Sequence, residues 1–313
     1  MRKNFFMDII SEIKKLRKEK NAVILSHFYQ IPEIQDIADF VGDSLDLSRK
    51  SANTNADIIV FAGVKFMAET AKILSPQKKV LIPDTEAGCS LADSCPSEDF
   101  NEFCNRYPDH IVVSYVNASA DIKAMSDICC TSTNAVKIIE SIPPDRKIIF
   151  APDKNLGNYL NGITGRDMVL WDGACHVHEE FSLEKILDLL HDNPDAKLIS
   201  HPECQKPVLI ASDFVGSTSA LLEFIQTDNG NKYIVATESG ILHQMKKNNP
   251  GKEFIPAPPI DSTCGCSDCK YMKLHTLDKI FKSLSEEKFE INVDSVTRAK
   301  AYLPIKRMLD LSA

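Results

Sequence analysis

The segment Thr263-Cys264-Gly265-Cys266-Ser267-Asp268-Cys269-Lys270 places three cysteines within six residues. Cys266 and Cys269 have the C-x-x-C spacing of half a zinc knuckle, a redox pair or part of an iron–sulfur ligand set. Two more cysteines have glycine-led settings upstream, Gly88-Cys89 and Gly173-Ala174-Cys175. Thiolates select zinc or iron–sulfur clusters over hard cations. A zinc site can be drawn from Cys266 and Cys269 with Cys175 and His176 or His178, but it leaves Cys89 without a role. One thiolate from each of Cys89, Cys175 and the late segment (Cys264, Cys266 or Cys269) instead suits a [4Fe–4S] cluster. Three ligands leave one iron open as a Lewis acid. Cys95, Cys104, Cys129, Cys130 and Cys204 read as buried small hydrophobes.

These cysteines need elements that bring distant segments together, and the chain contains a unit that occurs three times. Each copy opens on a β-branched run that reads as a buried strand: Ala22-Val23-Ile24-Leu25, Ile111-Val112-Val113 and Lys197-Leu198-Ile199. Each run leads into a polar end: Ser26-His27-Phe28-Tyr29, Ser114-Tyr115-Val116-Asn117 and Ser200-His201-Pro202-Glu203. His27, Tyr115 and His201 fall 88 and 86 residues apart. A second shared element carries Ser44, Ser132 and Ser217-Thr218, where helix N-caps belong. A further strand and helix follow in each copy, and a last strand leads to the cysteine. Strands alternating with helices, without hairpin turns, imply parallel sheets covered on both faces. The fold class is α/β: three pseudo-symmetric α/β/α domains, each with a small parallel sheet, around a central active site. The boundaries are residues 1–109, 110–195 and 196–270, with the C-terminal helices of 271–313 packed on the first domain. Working residues belong at the carboxyl ends of such strands, and every polar residue named above lies there.

Among those residues Glu203 is the obvious carboxylate and the natural general base, while His27, Tyr29, Tyr115, His176 and His201 supply further acid–base groups. Asn117 can orient a carboxylate or carbonyl. Helix starts at Ser44, Ser132, Ser217 and Thr218 are anion sites that need no arginine.

Bulk properties narrow the classes. A formal net charge of −8 argues against general nucleic-acid binding. No apolar run reaches the roughly 20 residues of a membrane helix. Asp8 and Glu12 interrupt any signal-peptide core, so the start reads as an amphipathic helix with Phe6, Ile9, Ile10, Ile13 and Leu16 on one face, in a reducing, cytoplasmic protein.

Taken together, these motifs resemble the quinolinate synthase family. They include Val41-Gly42-Asp43-Ser44, Gly88-Cys89-Ser90, Thr131-Ser132, Gly173-Ala174-Cys175-His176-Val177-His178, His201-Pro202-Glu203-Cys204, Gly216-Ser217-Thr218-Ser219 and Cys269-Lys270-Tyr271-Met272-Lys273-Leu274. The resemblance spans about residues 20 to 280, and Lys270 stands where the family more often has proline. It implies a [4Fe–4S] cluster on Cys89, Cys175 and Cys269. It also implies condensation of iminoaspartate with dihydroxyacetone phosphate to quinolinate for NAD biosynthesis, releasing phosphate and two waters. L-aspartate oxidase or dehydrogenase would supply the iminoaspartate. His27, Tyr29, Tyr115, Asn117, His176, His201 and Glu203 would line the substrate site, with Ser44, Ser132, Ser217 and Thr218 binding carboxylates and phosphate. Another iron–sulfur hydro-lyase, or a non-enzymatic iron–sulfur or zinc protein, is the alternative.

Overall fold

The computed structural model describes residues 2–261 and 267–313, with side chains from residue 8 onward. Among the described residues, twelve strands form three separate four-stranded sheets. The first holds β1 (Ala22–His27), β2 (Phe40–Gly42), β3 (Ile58–Ala62) and β4 (Lys79–Leu81). The second holds β5 (Ile111–Tyr115), β6 (Ile128–Cys130), β7 (Ile148–Ala151) and β8 (Val169–Leu170). In the third are β9 (Lys197–Ser200), β10 (Phe214–Val215), β11 (Lys232–Ala236) and β12 (Glu253–Pro256). Each sheet runs second-first-third-fourth, and every pairing is parallel. The expected three-unit α/β architecture is therefore present.

The repetition holds to the residue. Ser26 pairs with Ala62, Ser114 with Ala151 and Ser200 with Ala236. On the other side the same serines pair with Val41, Cys129 and Val215. A one-residue slip would turn every side chain to the opposite face, so this shared register gives the three strand ends the same aim. The central strands are covered on both faces: Ile24, Leu25, Ile59, Val60, Val113, Ile149, Phe150, Leu198, Ile199 and Ile234 are fully buried. Helices make each crossover, as parallel pairing requires. In every sheet the chain order reverses between the first and third strands, which opens a crevice at their carboxyl ends.

The helix Arg2–Glu19 is amphipathic over its described side chains, as its spacing suggests; the Phe6 side chain lies outside them. Ile9 and Ile13 are buried against Leu277, Ile280 and Leu284 of the helix Leu277–Glu286, with Ile10 and Leu16 beside them. The backbone of Phe289 and Ile291 then bonds to Ile82 and Val80, beside β4. The last helix, Ser295–Leu311, lies differently from expectation: it packs mainly on β6 and the helix Ala120–Ala124 of the second unit, and also touches Lys65–Leu74 of the first. It runs through Pro304 without interruption. The proline ring is buried beside Ala301, Ile305 and Met308, and this packing offsets the lost backbone hydrogen bond. No helix among the described residues is long and apolar enough to cross a membrane.

The first and third units meet closely at Gly240, where an added Cβ would lie 2.7–2.8 Å from the Tyr29 backbone. Gly240→Ala is expected to cost about 1–3 kcal/mol through overpacking. Gly162→Ala, in a helix with open space around it, should stabilise by about 0.5–1 kcal/mol. Urea denaturation midpoints of the two variants should therefore move in opposite directions.

Candidate active site

The three crevices face one cavity lined by residues of all three units. Equivalent positions of the three units meet there in sets. His27, Tyr115 and His201 stand at the ends of the first strands; Tyr29, Asn117 and Glu203 follow two residues later. Ser44, Ser132 and Thr218 come from the turns after the second strands, and Cys89, Cys175 and Cys269 from the loops after the fourth. Val64, Phe66, Met67, Val177 and Met272 supply the apolar wall.

Local backbone bonds aim the histidines. The Tyr29 N–H donates to His27 Nδ1 at 3.2 Å, and the Glu203 N–H donates to His201 Nδ1 at 3.3 Å. Both rings are thereby held with Nε2–H as donor. His201 Nε2 meets Ser132 Oγ at 3.1 Å. Burial keeps both rings neutral, lowering His27 to about 4 and His201 to about 3. Burial also raises Tyr29 and Tyr115 well above their ordinary values, so both stay protonated. The Tyr29 hydroxyl is bonded to Thr237 Oγ1 at 2.8 Å.

Glu203 behaves differently. Burial alone would raise it, but the facing His178 and the Tyr115 hydroxyl more than offset this and keep the carboxylate ionised. His178 Nδ1 lies 2.8 Å from Glu203 Oε2 without alignment for a hydrogen bond, while its Nε2 meets Thr237 Oγ1 at 3.0 Å. Asn117 Oδ1 is also buried without a hydrogen-bond partner. An acceptor in that state favours an incoming donor.

Cys89 and Cys175 immediately precede the one-turn helices Ser90–Asp93 and His176–Glu179; Cys269 precedes the turn Met272–Leu274. Burial raises all three thiols, Cys89 to about 12, and the backbone N–H three residues on, from Ala92, His178 and Met272 respectively, lowers each in part. Two buried carboxylates fix the main chain as well. Cys175 N–H donates to Asp153 Oδ2 at 3.2 Å, and Cys269 N–H donates to Glu238 Oε1 at 3.0 Å. Asp153 and Glu238 stand two residues beyond the alanine that ends their units' third strand; the first unit has Val64 there. Lys273 Nζ sits 2.8 Å from Glu238. Three thiols from three units, each backed by an amide, fit the donor set of an iron–sulfur cluster.

Comparison with known proteins settles the family. The chain matches the family described as Quinolinate synthetase A protein over residues 11–310. It is 56% identical over 306 residues to a quinolinate synthase of Thermosynechococcus vestitus, covering 98% of this chain and 96% of that one. A quinolinate synthase of Nostoc sp. is 57% identical over 306 residues, 98% and 94% of the two chains. The chain belongs to the quinolinate synthetase A protein family. A quinolinate synthetase A cavity lined by thiols is a metal or iron–sulfur site, and the chain is an enzyme.

Within this quinolinate synthetase A site, two expected residues point elsewhere. His176 Nδ1 bonds to Ser90 Oγ at 2.7 Å and its ring abuts Tyr271; His178 lines the cavity instead. Ser217 caps the helix Thr218–Thr227 by accepting from Ala220 N–H, and Thr218 faces the cavity. Of the expected caps, Ser44 is displaced by Asp43 and Ser132 lies ahead of an uncapped helix start at Asn134. Cys264 and Cys266 lie outside the described residues.

Asp43 was missed as a site residue. Its Oδ1 accepts from Leu45 N–H and Asp46 N–H, both at 2.9 Å, to cap the helix Ser44–Asn53. Its Oδ2 accepts from Thr133 Oγ1 of the second unit at 2.6 Å and Ser219 Oγ of the third at 2.7 Å. Asp153, Thr237 and Glu238 were missed too; the shared step after the third-strand alanine marks their positions.

The buried histidines carry a pH signature. An unfolded histidine titrates near 6.5, whereas His27 stays neutral to about 4. Between those values the unfolded state binds the extra proton, so this group's contribution is complete above about pH 6.5 and falls as pH drops. Glu238, raised by burial to about 7, works in the opposite sense over much of that window. The expected result is therefore a difference: cluster-free His27→Gln should lose about 1.4 kcal/mol per pH unit of stability slope between pH 4.5 and 6 relative to the parent, measured by denaturation at stepped pH.

Proposed function

We propose that this enzyme of NAD biosynthesis condenses iminoaspartate with dihydroxyacetone phosphate to quinolinate, releasing phosphate and two waters, in the three-unit cavity. We further propose the domain division at residues 110 and 196 and a [4Fe–4S] cluster on Cys89, Cys175 and Cys269. The observation that carries the reading is the meeting of these three thiols with Glu203, Tyr29 and Asn117 in one enclosed cavity. When bound, the cluster supplies a Lewis-acidic iron, since the chain offers three thiols for four irons.

The remaining roles fall to protein groups. Ser44, Ser132 and Thr218 hydroxyls bind the carboxylates and the phosphate, with helix N-termini behind Ser44 and Thr218. His27 and His201 donate from Nε2–H to substrate oxygens, and Asn117 Oδ1 accepts from the substrate nitrogen or a hydroxyl. The enamine carbon of iminoaspartate displaces phosphate, isomerisation through an enediol moves the carbonyl to the terminal carbon, and imine formation there closes the six-membered ring with loss of the first water. Glu203 takes a carbon-bound proton as general base, and the neutral Tyr29 phenol protonates the hydroxyl that leaves as the second water. Tyr115 and His178 hold Glu203 in place. His178 takes the place first assigned to His176, and Ser217 acts through the helix that it caps. An enzyme that oxidises aspartate, by oxidase or dehydrogenase chemistry, must supply the imine, and a reducing cytoplasm suits the free thiols.

Two outcomes test this. Anaerobically prepared protein should contain four iron and four sulfide per chain, should lose them in Cys89→Ala, Cys175→Ala and Cys269→Ala, and should form quinolinate from the two substrates. Zinc without sulfide would overturn the cluster assignment. Glu203→Gln should keep iron and sulfide while kcat falls about 10²–10⁴-fold; wild-type turnover would remove Glu203 as the base.

A further inference from the structure

One donor from each of Cys175, His178 and Glu203 lies within 4.8 Å of the others, deep in the cavity. A sulfur, an imidazole nitrogen and a carboxylate oxygen form the mixed donor set of zinc, with ligand bonds of about 2.0–2.3 Å. Tetrahedral bonds of that length put the ligand atoms about 3.3–3.7 Å apart, so the side chains need only small movements. Their surroundings are already arranged for such an ion. Thr237 Oγ1 holds His178 Nε2 at 3.0 Å, which leaves Nδ1, the atom without an aligned hydrogen bond, on the side of Glu203. Outer contacts of this kind fix the tautomer and orientation of metal-binding histidines. Tyr115 steadies the carboxylate, and the His178 N–H backs the Cys175 sulfur.

Charge also balances. A dication held by one thiolate, one carboxylate and a neutral ring leaves no net charge in a buried site, which limits the desolvation cost. Three protein ligands leave a fourth position for water from the cavity.

We propose that the protein without its iron–sulfur cluster binds one zinc ion through Cys175 Sγ, His178 Nδ1 and Glu203, and that zinc and cluster exclude each other. Binding forms the Zn–S, Zn–N and Zn–O bonds, releases the Cys175 thiol proton to solvent and moves the His178 ring proton from Nδ1 to Nε2, beside Thr237 Oγ1; no electron is transferred. The exclusion rests on Cys175 being a cluster ligand, whereas the zinc site does not. Zinc thus occupies both a cluster ligand and the proposed base, and the loaded chain awaits removal of the ion before it can become active.

Cobalt(II) is the probe. Cluster-free full-length protein, titrated anaerobically, should bind one Co²⁺ with a thiolate-to-cobalt charge-transfer band and the strong visible absorption of four-coordinate cobalt. One equivalent of Zn²⁺ should abolish both. Cys175→Ala should remove the charge-transfer band, and His178→Ala and Glu203→Gln should each weaken binding more than about tenfold, since losing even an outer contact of a ligand costs about 10–100-fold. Cys89→Ala, Cys269→Ala and the double variant Cys264→Ser/Cys266→Ser should bind cobalt as the parent does; denaturation midpoints show that each variant is folded. Loss of the band in Cys89→Ala or Cys269→Ala would assign the ion to a three-thiol site and overturn the proposal, as would loss in the double variant. For the exclusion, one equivalent of Zn²⁺ should block iron and sulfide uptake until a chelator is added; undiminished uptake with zinc still bound would overturn it.

Discussion

A single buried carboxylate joins the three units. Asp43 caps a helix of the first unit with one oxygen and accepts hydroxyls from the second and third with the other. The sheets share no strand; a backbone bridge at Phe181 and Pro259 joins the second and third units, and side chains add to it in fixing the relative orientation of the three. A carboxylate with four donors is well satisfied, and charge-assisted bonds are among the stronger ones available. Because Asp43 also lines the cavity, the contact that sets the assembly also sets the distance between the helix starts on either side of it.

The electrostatics follow from that enclosure. Burial forces most titratable groups at the site into their neutral forms, leaving histidines and phenols able to hand over or accept hydrogen bonds without bulk water. Among the groups proposed to move protons, Glu203 is the exception, because His178 and Tyr115 face its carboxylate. Two forms of group, neutral acids and one ionised base, are then available together at one pH.

Much of this was legible in the strand pattern. The three β-branched runs, their polar ends and the cysteine loops were readable because a parallel strand has one register and its side chains alternate strictly. Choices between near neighbours within a turn were not. His176 and His178 sit in a helix of a single turn, where two residues mean about 200° of rotation and opposite sides. Asp43 and Ser44 are both good cap residues, and only backbone geometry decides which one turns inward. Asp153 and Glu238 were not legible because no histidine or tyrosine follows the alanine that ends the third strands. The position of the last helix was hidden for another reason: both faces of Ser295–Leu311 carry apolar residues, with Val296 and Leu303 left exposed, so its pattern does not name a single partner.

The approximate threefold arrangement raises a problem of rotational ambiguity. A small, nearly planar diacid placed on such an axis would find three equivalent seatings if all the sets were uniform. Cysteine is identical in all three units, and the hydroxyls nearly so, so neither set can choose among seatings. The choice falls to the positions that diverged: Tyr115 against His27 and His201, then Tyr29, Asn117 and Glu203, with Val64, Asp153 and Glu238 behind them. Broken symmetry at these positions is thus what gives the cavity a sense of direction, and restoring symmetry there would leave a site that binds its ligand in several poses.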